Sequence, residues 1–184
     1  ITGTVDNLPL AAEKNTAGMA VLAMCRELSL PYGFDLDIEK GIPLGSGLGG
    51  SAASAVAGIV AAAALVDEPL GRTELLRFAM QGEAVASGSV HVDNIAPSLY
   101  GGLVLTVGID NPFVKQIPVP DTIRCVLVHP HMVLPTREAR AILSKSVPLS
   151  DVIWQQANLA GFLAGCFSND LALIRESLLD VVIE

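Results

Sequence analysis

The 184-residue chain has no clustered basic tract, few aromatic side chains and no closely spaced cysteines. Each scarcity argues against a class of function. Its 11 Lys and Arg residues are scattered among 19 Asp and Glu residues, for a net charge of −8. Binding to a phosphate backbone needs a basic patch, so this balance argues against nucleic acid as a partner. A single nucleotide is a different matter, because local backbone amides and a metal ion can supply the positive field. Cys25, Cys125 and Cys166 stand far apart in apolar runs. That pattern has no metal-ligand spacing and fits buried, reduced thiols of a cytoplasmic protein. No signal peptide is visible, and the chain opens on Ile1, so it is expected to lack its natural start.

Aromatic residues are 4% of the chain while apolar residues are 51%. The core must therefore be built from Ala, Val, Leu and Ile, which let helices pack closely. The run Ala52 to Val66 is almost wholly apolar, yet shorter than the roughly 20 residues of a membrane-spanning helix. Gly and Ser crowd its start and Asp67-Glu68-Pro69 ends it. It reads as a helix buried on most sides, and no membrane partner is expected.

Periodicity sets out the remaining elements. Ile1 to Val5 reads as the end of a strand, and Phe34 to Ile38 alternates like a half-exposed one. Asn15 to Leu28 reads as a helix with Ala17, Ala20, Val21, Met24 and Leu28 on one face, broken by Pro31-Tyr32-Gly33. Thr73 is the expected N-cap of a helix to about Ser87, with Glu74 favourable in its first turn. Ser89 to Tyr100 reads as irregular, and Gly102 to Gly108 and Ile123 to His129 as strands. Thr136 to Leu143, Ser150 to Leu163 and Leu171 to Val182 read as helices. Helices and strands mix without a regular alternation, which favours an α+β fold over a doubly wound sheet. Pro112, Pro118 and Pro120 mark a boundary within 110–121.

The strongest signal is the segment Gly41 to Ala53, with glycines at 41, 45, 47, 49 and 50. Glycines let the backbone turn with positive φ and aim successive N–H groups inward. The helix that follows adds its own free amides and the positive end of its dipole. Together these make an anion site suited to phosphate. Gly45 and Gly50 have the spacing of a Walker A loop, but Ser51 stands where Lys is required. Gly45, Gly47 and Gly50 match the Rossmann spacing, but Asp35 and Asp37 interrupt the strand that should be nearly all apolar. A flexible turn before a buried helix is the bland alternative.

Other candidates carry open alternatives on residue type alone. Glu83 falls on the apolar stripe Leu76, Met80, Glu83, Ser87. It is either a carboxylate that needs a partner such as a metal or a surface residue at the stripe's edge. His91, Asp93 and Asn94 suit a zwitterion's ammonium and carboxylate, local turn contacts, or a metal site with His129 and His131. Thr136 and Arg140 share one helix face, where Arg can hold a carboxylate with two parallel hydrogen bonds; a capped surface helix is the alternative.

The run Pro43 to Ala53 resembles the central phosphate-binding motif of the galactokinase, homoserine kinase, mevalonate kinase and phosphomevalonate kinase (GHMP) superfamily. That motif is Pro, a short spacer, then Gly-Leu-Gly-Ser-Ser-Ala. Gly50 replaces the first Ser and Ser51 keeps the second. His91 to Pro97, followed by Gly101-Gly102, is similar to the His-x-Asp-Asn segment of the homoserine kinase branch. Pro135 to Arg140 is similar to that branch's substrate-contacting helix. The resemblance runs over essentially the whole chain. It implies a two-layer α+β fold: an N-terminal mixed sheet with packed helices over 1–110, then part of a ferredoxin-like C-terminal domain over 121–184.

The resemblance also implies an activity, the ATP-dependent phosphorylation of the side-chain hydroxyl of L-homoserine in threonine biosynthesis, with Mg²⁺. It assigns Gly45, Ser46, Gly47, Leu48, Gly49, Gly50 and Ser51 to the phosphates and Asn15 to the adenine pocket. Ser51 and Glu83 fall to Mg²⁺, and His91, Asn94, Thr136 and Arg140 to homoserine. Glu83 and Asp93 are the catalytic candidates, Asp93 as a helper only. The superfamily's first motif, of Pro-Ala-Ser-Ser-x-Asn-Leu-Gly type, and its last, of Gly-x-Gly-Pro type, are absent. The chain is therefore expected to be truncated at both ends, with an open sheet edge that favours a homodimer. Two other readings stand beside this one. One is another kinase of the superfamily, acting on a mevalonate-like or sugar substrate. The other is a non-catalytic fragment that keeps the anion-binding loop.

Overall fold

A computed structural model describes residues 1–3, 8–43, 46–87, 91–108, 110–128 and 143–183. The chain divides into two compact units, Ile1–Lys115 and Gln116–Glu184. The first is built on β1 (Thr2–Gly3), α1 (Thr16–Glu27), β2 (Asp37–Ile38) and α2 (Gly50–Ala63). These are followed by α3 (Arg72–Ser87), α4 (Val92–Tyr100) and β3 (Leu103–Val107). β1 pairs in parallel with β2, Thr2 opposite Asp37 and Gly3 opposite Ile38. β3 pairs with β4 (Phe113–Ile117), so the described strands form two separate pairs within an α+β fold.

Helices α1, α2 and α3 pack against one another, and α4 lies against both α2 and α3. Each buries a stripe spaced as a helix demands. On α1 it is Ala17, Ala20, Val21 and Met24; on α2 it is Ala52, Ala55, Val56, Ile59 and Ala62. Leu76, Phe78, Ala79 and Met80 of α3 and Ile95 and Ala96 of α4 close the same core. The large side chains Met24, Ile59, Leu76, Phe78 and Ile95 are fully buried. Each such burial is worth about 1.5–3 kcal/mol, which makes this cluster the main source of the unit's stability. Small residues set how close the helices come. A Cβ on Gly58 would lie 2.8 Å from Ala17 Cβ, and one on Gly82 would lie 2.3 Å from the Thr16 carbonyl oxygen.

Several elements differ from the expectation. Helix α2 buries one face rather than most sides: Val60 is 42% exposed, and Ala57 and Ala61 are open. A run of apolar residues records helix propensity but not which faces have neighbours. Residues 92–100, expected to be irregular, form α4 despite Pro97. The complete burial of Ile95 and Ala96 outweighs the backbone bond the proline removes. Ser98 Oγ donates to the Asn94 carbonyl at 2.9 Å in the same turn. Helix α3 is preceded by Gly71, not capped by Thr73, and Glu74 reaches back to accept from the Gly71 N–H at 2.8 Å. Of the expected strand 34–38, Asp37 and Ile38 pair with β1 among the described residues, and the Leu36 carbonyl accepts from the Thr2 N–H at 2.9 Å.

In the second unit, α5 (Leu149–Ser168) packs on α6 (Leu171–Glu176). Asn169, at φ 57°, ends α5, and the Asp170 carboxylate caps α6 by accepting from the Leu173 N–H at 3.0 Å. Helix α6 stops at Glu176 rather than Val182, with Ser177 as its C-cap, and beyond it the Asp180 carboxylate accepts from the N–H groups of Val182 and Ile183. Residues 123–128 are not a strand. They have no ladder partner among the described residues, and Val126 is 83% exposed. The expected helix over 136–143 lies outside the described residues except for Leu143. Among the described residues no helix is long and apolar enough to cross a membrane.

Candidate functional site

The glycine-rich loop reaches α2 in the manner its composition demands. Gly47 and Gly49 have φ of +73° and +66°, a left-handed backbone that a Cβ would strain. Gly49 is the N-cap of α2, and its carbonyl accepts the first helical bond, from the Ala53 N–H at 2.9 Å. The amides of Gly50, Ser51 and Ala52 thus stand at the open end of the helix, where no side chain caps them. Ser46 Oγ is buried without a hydrogen-bond partner among the described residues. Gly45 lies outside the described residues.

Ser51 Oγ donates to Glu83 Oε1 at 2.9 Å, joining the first turn of α2 to the middle of α3. The pair rests on packing, because Gly82 lets α3 come close enough to α1 to bring the next residue inward. Glu83 is only 3% exposed, a core position for a carboxylate. Burial pushes its pKa above the ordinary value and Asp93 adds to the rise; the Ser51 hydroxyl, His91 and Lys40 act against it. Two oxygen-bearing side chains lie side by side here. Among the described residues no three His, Cys, Asp or Glu residues gather as a metal cage. Mg²⁺ does not need one, since it keeps waters and takes phosphate oxygens beside one or two protein ligands. The Ser51–Glu83 donor set fits that chemistry.

Helix α4 begins beside the loop. His91 is its N-cap, and a Cβ on Gly49 would stand 3.5 Å from Asn94 Oδ1. Asp93 and Asn94 are exposed, and both His91 and Asp93 are close enough to act on Glu83. The structure therefore brings Gly47, Gly49, Gly50, Ser51, Glu83, His91, Asp93 and Asn94 to one place. Leu48, at 37% exposed, borders the loop's open side. Thr136 and Arg140, with His129 and His131, lie outside the described residues. Asn15 is held by a structural duty: it is buried, its Oδ1 accepts from the Gly18 N–H at 3.0 Å, and its Nδ2 donates to the Pro9 carbonyl at 2.8 Å.

Sequence reasoning missed Lys40. Its Nζ donates to the Gly50 carbonyl at 3.1 Å and to Ser54 Oγ at 2.8 Å. The one signal for it was a Lys immediately before the loop, with Ser54 one helical turn beyond Gly50. Lys40 also borders a cleft of about 370 Å³ walled by residues 36–42 and by Ala53, Ala57 and Ala61 of α2. Asn15 does not line that cleft, but Ala17 does.

Residues 15–102 match the family of GHMP kinases N terminal domains. Over its full length the chain is 52% identical to a homoserine kinase of Xylella fastidiosa and 49% identical to one of Xanthomonas campestris. It spans 56% of the length of each. A crystal structure of homoserine kinase from Cytophaga hutchinsonii superimposes on the whole chain with a TM-score of 0.91 at 41% identity. The chain covers 59% of that structure.

Proposed function

We propose, from the GHMP kinases N-terminal domain carried by residues 15–102, that this chain forms the nucleotide-binding part of a kinase that phosphorylates the side-chain hydroxyl of L-homoserine with ATP. The observation that carries this reading is the convergence of the open start of α2 with the Ser51–Glu83 pair and the start of α4. The names of its relatives supply the substrate. In this reading residues 1–110 are the kinase's N-terminal domain and 121–184 the beginning of its C-terminal domain.

The chemistry follows from what each group can do. Phosphoryl transfer asks the protein mainly for positioning and for charge stabilisation. The amides between Gly47 and Ala52 and the Ser46 hydroxyl donate to the phosphate oxygens. Ser51 Oγ and Glu83 hold Mg²⁺, which neutralises charge on the phosphates when bound. His91 and Asn94, at the start of α4, orient homoserine together with Thr136 and Arg140, the guanidinium gripping the substrate carboxylate. No residue is assigned as the base; Asp93, exposed beside Asn94, serves only as a helper for the hydroxyl proton.

The test is ADP release with homoserine, with other hydroxylated amino acids, and with a mevalonate-like and a sugar substrate. Turnover restricted to homoserine supports the reading, and preference for another alcohol transfers it to a different kinase of the superfamily. A second reading is nucleotide binding without turnover. Heat of binding for Mg-ATP with no ADP release would select it.

A further inference from the structure

The bonds around the Gly50 carbonyl have a consequence on the other side of the same peptide. Lys40 Nζ donates to that oxygen and to Ser54 Oγ, and Ser54 Oγ donates to the same oxygen at 2.9 Å. The three groups close a ring on one carbonyl. The described peptides are all trans, so the N–H of Ser51 lies on the opposite edge of the Gly50–Ser51 peptide plane. That N–H is among the open amides at the start of α2, facing the glycine loop.

We infer that Lys40 is a positioning residue for phosphate: its ammonium, held on the Gly50 carbonyl with Ser54, polarises the Gly50–Ser51 peptide and fixes the first turn of α2, so that the Ser51 N–H is a stronger anion donor. The inference rests on the phosphate reading of the loop. A cation on a carbonyl oxygen draws electron density through the delocalised amide and leaves its N–H more positive. Linked hydrogen bonds strengthen one another in the same way. The effect adds to the helix dipole, which already favours negative charge at this end. Lys40 needs no contact with the ligand to act. Its location also accounts for the side-chain type, since an ammonium gives three donors from a compact head and here meets two acceptors at once.

Burial lowers the Lys40 pKa and the nearby Glu83 carboxylate opposes the change. The charge thus lies close enough to the Ser51–Glu83 pair to be felt there, while its hydrogen bonds go to α2. A purely structural staple between residue 40 and α2 would hold the loop for every ligand equally. A polarised amide would discriminate in favour of anions, which gives the experiment its contrast.

The full chain and its Lys40→Met, Lys40→Arg and Ser54→Ala variants are titrated calorimetrically, without metal, with inorganic tripolyphosphate and separately with adenosine. The ¹H resonance of the Ser51 amide is followed in parallel. The expected result is at least a tenfold loss of tripolyphosphate affinity in Lys40→Met with adenosine affinity unchanged. Lys40→Arg recovers most of the loss, Ser54→Ala shows a smaller one, and the Ser51 amide proton moves upfield in Lys40→Met. Equal losses for both ligands, or an unmoved Ser51 resonance, would overturn the inference. If Lys40→Met does not fold, Ser54→Ala decides: unchanged tripolyphosphate affinity and an unmoved Ser51 resonance count against it. A wild-type chain that binds no tripolyphosphate overturns the phosphate reading itself. A wild type that binds it as Lys40→Met does overturns the lysine's role alone.

Discussion

Ser51 Oγ and Glu83 Oε1 lie 2.9 Å apart, a hydrogen bond between the first turn of α2 and a carboxylate buried on α3. It couples the start of α2 to the helical core. If the proposed function holds, removing the carboxylate, in Glu83→Ala, is expected to lower kcat for Mg-ATP by about 100-fold or more, since the proposed metal ligand and its charge are both lost. Under the same proposal Ser51→Ala removes the weaker ligand and is expected to raise the Mg²⁺ concentration for half-maximal activity by about tenfold. ADP release measured across a Mg²⁺ titration separates the two. Undiminished turnover in Glu83→Ala would remove Glu83 from the metal site.

Gly49 and Gly47 share a left-handed backbone but not a neighbourhood. A Cβ on Gly49 meets the Asn94 side chain, whereas one on Gly47 meets nothing within 4 Å. Both alanine variants carry the backbone strain, about 1–2 kcal/mol each. Only Gly49→Ala also sets a methyl group in van der Waals contact with Asn94 on α4, so under the proposed function it alone is expected to raise the KM for homoserine as well as that for ATP. Thermal melts measure the shared strain, and a two-substrate kinetic matrix measures the difference.

Arg77 grips both carboxylate oxygens of Glu27, linking α3 to the end of α1, and by these hydrogen bonds holds the Glu27 carboxyl below its ordinary value of 4.5. A carboxyl with a depressed folded pKa contributes stability above the unfolded value and loses it as pH falls through the folded one. Both side chains are 46% exposed, so the contribution is small and screened by salt. Glu27→Gln is expected to melt slightly below wild type at neutral pH and low salt. The two curves should merge as pH falls below 4.5 through the depressed folded pKa, and at high salt. A gap that persists at low pH would mean that Glu27 acts through packing.

The centre of the site is legible in the sequence because its chemistry is local. Five glycines before an apolar helix match the composition of an anion loop, and the spacing of Leu76, Met80 and Glu83 puts the carboxylate on or at the edge of the apolar stripe, a choice that burial resolves. What escapes a reading of the sequence depends on tertiary neighbours. Pro97 and the polar run before it conceal α4, whose stability comes from Ile95 and Ala96 entering the core. Lys40 gives little sign of itself because its partners, Gly50 and Ser54, come near it only when the segment after β2 folds along α2. Residues 123–128 have strand composition without a strand partner among the described residues, since β propensity records fit to a sheet rather than the presence of one.

Gly82 ties helix packing to the site. A Cβ there would sit 2.3 Å from the Thr16 carbonyl oxygen and 2.9 Å from Ala20 Cβ, so Gly82→Ala must move α3 away from α1. Overpacking of this kind costs about 1–3 kcal/mol, which for a chain of this size lowers Tm by roughly 2–4 °C per kcal/mol. The next residue on α3 is Glu83, so moving the helix is expected to disturb its bond to Ser51. Gly82→Ala is therefore expected to weaken Mg²⁺ activation as well as stability, whereas Gly33→Ala, with nothing within 4 Å, should change neither. Adding Ala20→Gly frees the side-chain contact but leaves the backbone oxygen of Thr16 in place, so the double variant should regain only a small part of the lost stability. Thermal melts with a Mg²⁺ titration of ADP release check both effects, and full recovery in the double variant would show that Ala20, not the Thr16 carbonyl, sets the distance between the helices.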